Sequence, residues 1–149
     1  MSSKKAKTIT PTSDFLIYTT PDGGVRVDVL FSHENVWLTQ KLMALLFDCS
    51  VDNISLHLKN IFAEHELDEK AVTEEYSITA TDGKSYKIKH YSLEAIIAVG
   101  YRVHSERGTQ FRTWATDKLK RYIVKGFAID SDRFQTVRKL SKEAQLLHL

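Results

Sequence analysis

Thr39 and Gln40, followed by Asp52, Asn53, Ser55, Leu56, Lys59 and Asn60, are the residues whose types and spacing suit the base edges and backbone of double-stranded DNA. In the segment 38–58, small Ala44 stands ten residues before apolar Ile54, with the polar Asp48-Cys49-Ser50 between them. This is the spacing of a helix-turn-helix, in which a small residue lets two helices cross closely. The second helix of such a pair can enter the roughly 12 Å wide major groove while the first lies across the backbone. Asn53 and Asn60 suit adenine edges, Ser55 donates or accepts, Lys59 suits guanine or phosphate, and Leu56 suits a thymine methyl. Thr39 and Gln40 would then lie near phosphate, and Asp52 at the entrance of the second helix. Asp48 takes a turn position often held by glycine.

Other chemistries find no support. The histidines at 33, 57, 65, 90, 104 and 148 form no HExxH and have no cysteine at zinc spacing, so no metal is expected. His104-Ser105-Glu106 contains triad residue types, but as neighbours in sequence and without a nucleophile elbow. Gly23-Gly24 makes no phosphate-binding loop. The expectation is a protein that is not an enzyme and uses no cofactor or small-molecule substrate. His57 reads as a hydrogen-bonded structural residue and Cys49 as a small buried thiol.

The elements that must position these residues follow from periodicity. Residues 1–13 lack it and read as a disordered tail. Phe15 to Tyr18, Asp22-Gly23-Gly24 and the alternating Val25, Val27, Val29 and Phe31 read as a β-hairpin. Thr39 caps a short helix with Leu42, Leu45 and Leu46, interrupted at Phe47; Ser50 opens the next, with Val51, Ile54, Leu58, Ile61 and Phe62 inward. Tyr76 to Thr79 and Ser85 to Tyr91 flank Asp82-Gly83, a second hairpin. It stands where a winged helix-turn-helix keeps its wing, so Lys84 and Lys87, with Lys89, are phosphate candidates. Ser92 caps a helix ending near Val103. A polar loop 104–108 follows, broken by Gly108, and Thr109 caps a last long helix that stops at Gly126. The loop region gathers Arg102, Arg107 and Arg112 where a phosphate could bridge them.

Composition is consistent with this. A chain of 149 residues with 42% hydrophobic and 27% charged content suits one soluble α+β domain over 14–130, with 131–149 a C-terminal helix of a chain that reads as truncated. A single cysteine and no apolar run of membrane length point to the cytoplasm and away from membranes. The net charge of +2 hides a division: 62–82 carries seven acids against Lys70, and 83–125 carries ten cations against three acids. A basic half suits a polyanion. Because one recognition helix reads few bases, a homodimer is expected.

Several stretches also resemble one family: Val36-Trp37-Leu38-Thr39-Gln40, 54–62 followed by Glu66-Leu67, Thr81 to Tyr86, and the block Val99-Gly100-Tyr101-Arg102-Val103 through Arg107-Gly108-Thr109-Gln110-Phe111-Arg112 to Trp114-Ala115. Together they are similar to the RhuM family of bacterial virulence-island proteins, in order from about Phe15 to Phe134. Phe111-Arg112 and Trp114 more loosely resemble phage antirepressor N-terminal domains. The resemblance implies a protein encoded on mobile or horizontally acquired DNA, and DNA binding or transcriptional control. The alternative from another class is a protein-interaction module that antagonises a host repressor, with the acidic 62–82 segment as a nucleic-acid mimic.

Overall fold

The structure, a computed structural model, describes residues 7–8, 14–79 and 81–129. In chain order these form β1 (Lys7–Thr8), β2 (Asp14–Thr19), β3 (Arg26–Ser32), β4 (Asn35–Leu38), α1 (Gln40–Phe47), α2 (Val51–Ala63), α3 (Glu69–Val72), β5 (Thr73–Thr79), β6 (Ser85–Ser92), α4 (Leu93–Val103) and α5 (Ser105–Ile129). The fold is α+β, as expected. The strands make one sheet in the order β1-β5-β6-β4-β3-β2, antiparallel throughout except for β1, which runs parallel to β5. Two compact units divide the chain, Met1–Arg112 and Thr113–Leu149. The described part of the second is the C-terminal portion of α5, where Arg121 pairs with Asp117 one turn earlier at 3.1 Å. The C-terminal helix expected over 131–149 lies outside the described residues, as does most of the expected tail.

Both expected hairpins are present, and the sheet joins them. β2 and β3 pair around Thr20 to Val25, where the Asp22 carboxylate accepts from the Thr20 hydroxyl at 2.6 Å and the Gly24 amide at 2.9 Å. β5 and β6 pair around Asp82-Gly83, with Gly83 at φ +80°. Between them lies β4, which turns back from β3 through His33 and Glu34. Both carry positive φ, the geometry a two-residue hairpin needs and one that usually selects Asn or Gly. β4 meets β6 at only two residue pairs, Trp37 with Ser92 and Leu38 with Tyr91.

Strand alternation sends Val27, Val29 and Phe31 to one face, beneath α1, where all three are buried. Tyr18 on that face meets Phe111 of α5 edge to face, with ring centres 5.1 Å apart. Burying each such large apolar side chain contributes about 1.5–3 kcal/mol. The other face carries a second buried cluster of Leu30, Trp37 and Tyr76. His90 stacks edgewise on Tyr76 at 5.0 Å, and burial pushes its pKa below the usual histidine value.

Several local expectations are corrected. Phe47 does not interrupt α1 but ends it fully buried, while Leu45, expected inward, is 52% exposed. Val51, also expected inward, is 43% exposed in the first turn of α2. α4 starts after Ser92 as expected, but the Ser92 hydroxyl makes no cap. The Leu93 amide instead donates to Asn35 Oδ1 at 3.4 Å, a partner 58 residues away. Finally, the loop 104–108 and the stops at Gly108 and Gly126 do not exist: α5 starts at Ser105 and continues to Ile129. His104 alone joins α4 to α5, and its Nδ1 accepts from the Arg107 amide at 3.4 Å. Gly108 sits inside α5 because the helices touch there. A Cβ built on Gly100 would stand 2.9 Å from the Gly108 Cα.

Candidate nucleic-acid interface

α1 and α2 are joined by Asp48, Cys49 and Ser50, and each junction residue has a defined task. Asp48 adopts the left-handed conformation (φ 55°, ψ 56°), and its amide donates to the Ala44 and Leu45 carbonyls. A short polar side chain tolerates this region better than most, which is why aspartate can stand where glycine is common. The Ser50 hydroxyl then accepts from the Asn53 amide at 3.0 Å, capping α2, as Thr39 caps α1 by accepting from Leu42 at 3.2 Å. Cys49 is half-buried, and burial pushes its thiol pKa up.

α2 is divided cleanly by its helical period. Ile54, Leu58 and Ile61 are buried, and Asp52, Ser55, Leu56 and Lys59 form an exposed stripe on the other side, flanked by half-buried Asn53 and Asn60. Leu56 is 54% exposed. His57 stands at the edge of the buried face. Its Nδ1 is buried and has no hydrogen-bond partner, contrary to expectation.

Beside this stripe runs a groove between the start of α1, the side of α2 and strand β6, lined by Gln40, Ser55, Lys59, Glu69, Lys89 and Tyr91 among others. Its continuation includes Thr39, Lys41 and Ile88. Gln40 Nε2 donates to the Tyr91 hydroxyl at 2.9 Å, tying the first turn of α1 to β6. Lys87, Lys89 and Tyr91 alternate onto one face of β6. Lys89 is held by Glu69 at 2.9 Å, and this hydrogen bond raises its pKa. Lys84 sits at the tip of the β5–β6 hairpin. There Asp82 accepts from the Lys84 amide at 2.8 Å and the Tyr86 hydroxyl at 2.6 Å, bonds that hold its carboxyl below the usual range.

The structure thus gathers Thr39, Gln40, Ser55 and Lys59 around one groove, with Asp52, Asn53, Leu56 and Asn60 along the same helix and Lys84 and Lys87 on the adjoining hairpin. It places the three arginines elsewhere. Arg102 forks onto Glu64 at 3.0 Å and Glu66 at 2.7 Å, bracing the end of α2 against α4. Arg107, 16% exposed, donates to the Leu46 carbonyl at 3.0 Å near the end of α1 and lies 3.7 Å from Asp22. Arg112 donates to the Tyr101 hydroxyl at 3.2 Å. With no loop between α4 and α5, the phosphate-bridging arrangement expected of these residues has no frame. The same contacts bear on the acidic 62–82 segment, since Glu64, Glu66 and Glu69 are each paired with a cation of this chain. Lys41 and Lys89 line the groove although the helix spacing did not single them out. For Lys89 the signal was strand alternation with Lys87.

Comparison with known proteins adds the family. The model of the virulence protein RhuM family matches residues 71–146, just over half of the chain. The chain belongs to the RhuM family. The matched span takes in β5, β6, α4 and α5, including the block 99–115, and leaves α1 and α2 outside it. No curated protein and no solved structure matches the chain. No described helix is long and apolar enough to cross a membrane.

Proposed function

We propose that this RhuM-family chain is a sequence-specific double-stranded DNA-binding protein that regulates transcription of the mobile or virulence-associated DNA carrying it. The observation that supports this most directly is the exposed stripe of α2, running from Asp52 through Ser55 and Leu56 to Lys59, with Ser55 and Lys59 sharing a groove with Gln40 and Lys89. Thirteen residues of helix extend roughly 20 Å, enough to follow the major groove across several base pairs. Ser55, Leu56, Lys59 and the flanking asparagines read bases in this arrangement. The amides in the first turn of α1, together with Lys41, Lys87 and Lys89, take phosphates. A polyanion would compete with Glu69 for Lys89, so binding exchanges one half-exposed ion pair for another.

Selection of bound duplexes from a random library tests the proposal. Enrichment of a short motif is expected, with binding that weakens as salt rises. Replacing Lys41, Lys87 and Lys89 by alanine should flatten the log-log salt slope by about 0.9 for each phosphate contact removed. Leu56→Ala should change the preferred bases while leaving that slope in place. A library that emerges unenriched, with no duplex binding at low salt, refutes the proposal.

A further inference from the structure

Tyr91 is 4% exposed, yet it lines the groove between α1, α2 and β6, and its hydroxyl accepts from Gln40 Nε2, another lining group, at 2.9 Å. That bond anchors the oxygen. The phenol's own proton has no acceptor among the described residues, so the groove wall carries a fixed O–H donor. Lys89 stands two residues earlier on the same face of β6. Its ammonium is held by the Glu69 carboxylate at 2.9 Å, with both side chains about half exposed, and Glu75 lies directly opposite it in the β5–β6 ladder. Glu69 opens α3, where the Thr73 hydroxyl donates to its carbonyl at 2.7 Å. Beyond Gln40 the groove continues past Lys41. A carboxylate is thus lodged among donors that suit an anion.

We infer that the Glu69 carboxylate stands in the place of a DNA phosphate: it holds Lys89 in the free protein, and a backbone phosphodiester of a bound duplex displaces it, taking Lys89 Nζ and the Tyr91 O–H together. The inference rests on the DNA-binding reading and adds a resident competitor to it. A phosphodiester carries the same charge as a carboxylate and likewise offers two oxygens, so it suits the same donors. It also arrives as one of a row, so Lys41 can take a neighbouring phosphate while Lys89 takes this one. Glu69 has no such second contact to offer. Displacement still breaks an exposed ion pair and leaves the freed carboxylate beside a phosphate that repels it. Because phosphate contacts carry no sequence information, this penalty falls on every duplex alike. Glu69 therefore sets how tightly DNA in general is held, and leaves to α2 which sequence is preferred.

The test compares the full chain with its Glu69→Gln variant on two duplexes at low salt, one carrying the motif enriched from a random library and one of scrambled sequence. Glutamine keeps the shape of the side chain without its charge. Breaking a pair of this exposure is worth up to about fivefold in affinity, and relief of the repulsion adds to it, so both duplexes should bind about three- to tenfold tighter. The gain should shrink as salt rises, since the ion pair and the repulsion are both screened. In a Lys89→Ala background the same change should gain much less, because Glu69 then has no cation to withhold. Tyr91→Phe removes the O–H and leaves the ion pair; it should weaken both duplexes by about two- to tenfold with the salt slope unchanged. Wild-type binding that Glu69→Gln leaves unchanged or weakens, a gain undiminished by Lys89→Ala, or a Tyr91→Phe chain that binds as wild type would overturn the inference while the DNA-binding reading stands. Neither chain binding either duplex at low salt refutes that reading, and the inference with it.

Discussion

Replacing Gly100 by alanine sets two effects against each other. Alanine is favoured over glycine inside a helix by about 0.8–1.0 kcal/mol, and Gly100 lies in the last turns of α4. The new methyl, however, would stand 2.9 Å from the Gly108 Cα and 2.9 Å from the Phe47 ring. One obstacle is backbone, and the other is a fully buried ring that ends α1, so neither yields easily. Overpacking of this kind costs about 1–3 kcal/mol, and rigid neighbours put the site toward the upper end. The expected net loss is about 1–2 kcal/mol, or a fall in Tm of about 2–8 °C for a chain of this length. Urea and thermal melts followed by circular dichroism measure it, and an unchanged urea m-value confirms that stability alone has moved. Gly108→Ala should lose less, because its methyl would lie 3.2 Å from the Gly100 backbone. A Gly100→Ala chain more stable than wild type by the helix-propensity increment would refute the close-crossing explanation of both glycines.

Further outcomes follow from the same contacts. Ser50→Ala removes the acceptor for the Asn53 amide and should cost about 1 kcal/mol in a urea melt. Arg107→Ala, which strips a bond from the Leu46 carbonyl at a largely buried site, should cost about 1.5–3 kcal/mol. Arg102→Ala, whose partners Glu64 and Glu66 are exposed, should stay within about 1 kcal/mol. Equal losses at the two arginines would contradict the difference in burial. His90 has a folded pKa below its unfolded value of about 6.5. The unfolded chain therefore takes up the proton first, and stability is full above that pH and declines as pH falls from there toward the folded value. The Tm of His90→Gln should be flatter than that of wild type across that window; parallel curves would show that His90 titrates freely in the fold.

What was legible in the sequence was what local chemistry decides. Asp-Gly at 82–83 announced the second hairpin, and Thr39 and Ser50 marked the starts of α1 and α2 because their hydroxyls serve amides three residues ahead. The polar stripe of α2 was visible in its 3.6-residue period. What escaped depends on distant partners. β4 hid because its turn uses His33 and Glu34, residues that do not advertise positive φ. The cap of α4 comes from Asn35, far off in sequence. Gly108 read as a chain break, when its missing side chain instead admits Gly100 of the neighbouring helix. Arg102 and Arg107 looked available because the Glu64, Glu66 and Leu46 atoms that hold them come from other elements.

The two residue pairs between β4 and β6 also decide when the groove exists. Each hairpin can zip locally on its own, but Gln40 follows one side of that narrow seam while Lys89 and Tyr91 belong to the other, with the Gln40–Tyr91 bond as the stitch across it. A fluctuation that parts the seam would leave every hairpin ladder whole and yet dismantle the place where Lys59 and Lys89 meet. Hydrogen exchange at Leu38 and Ser92 would therefore report how often this surface is assembled.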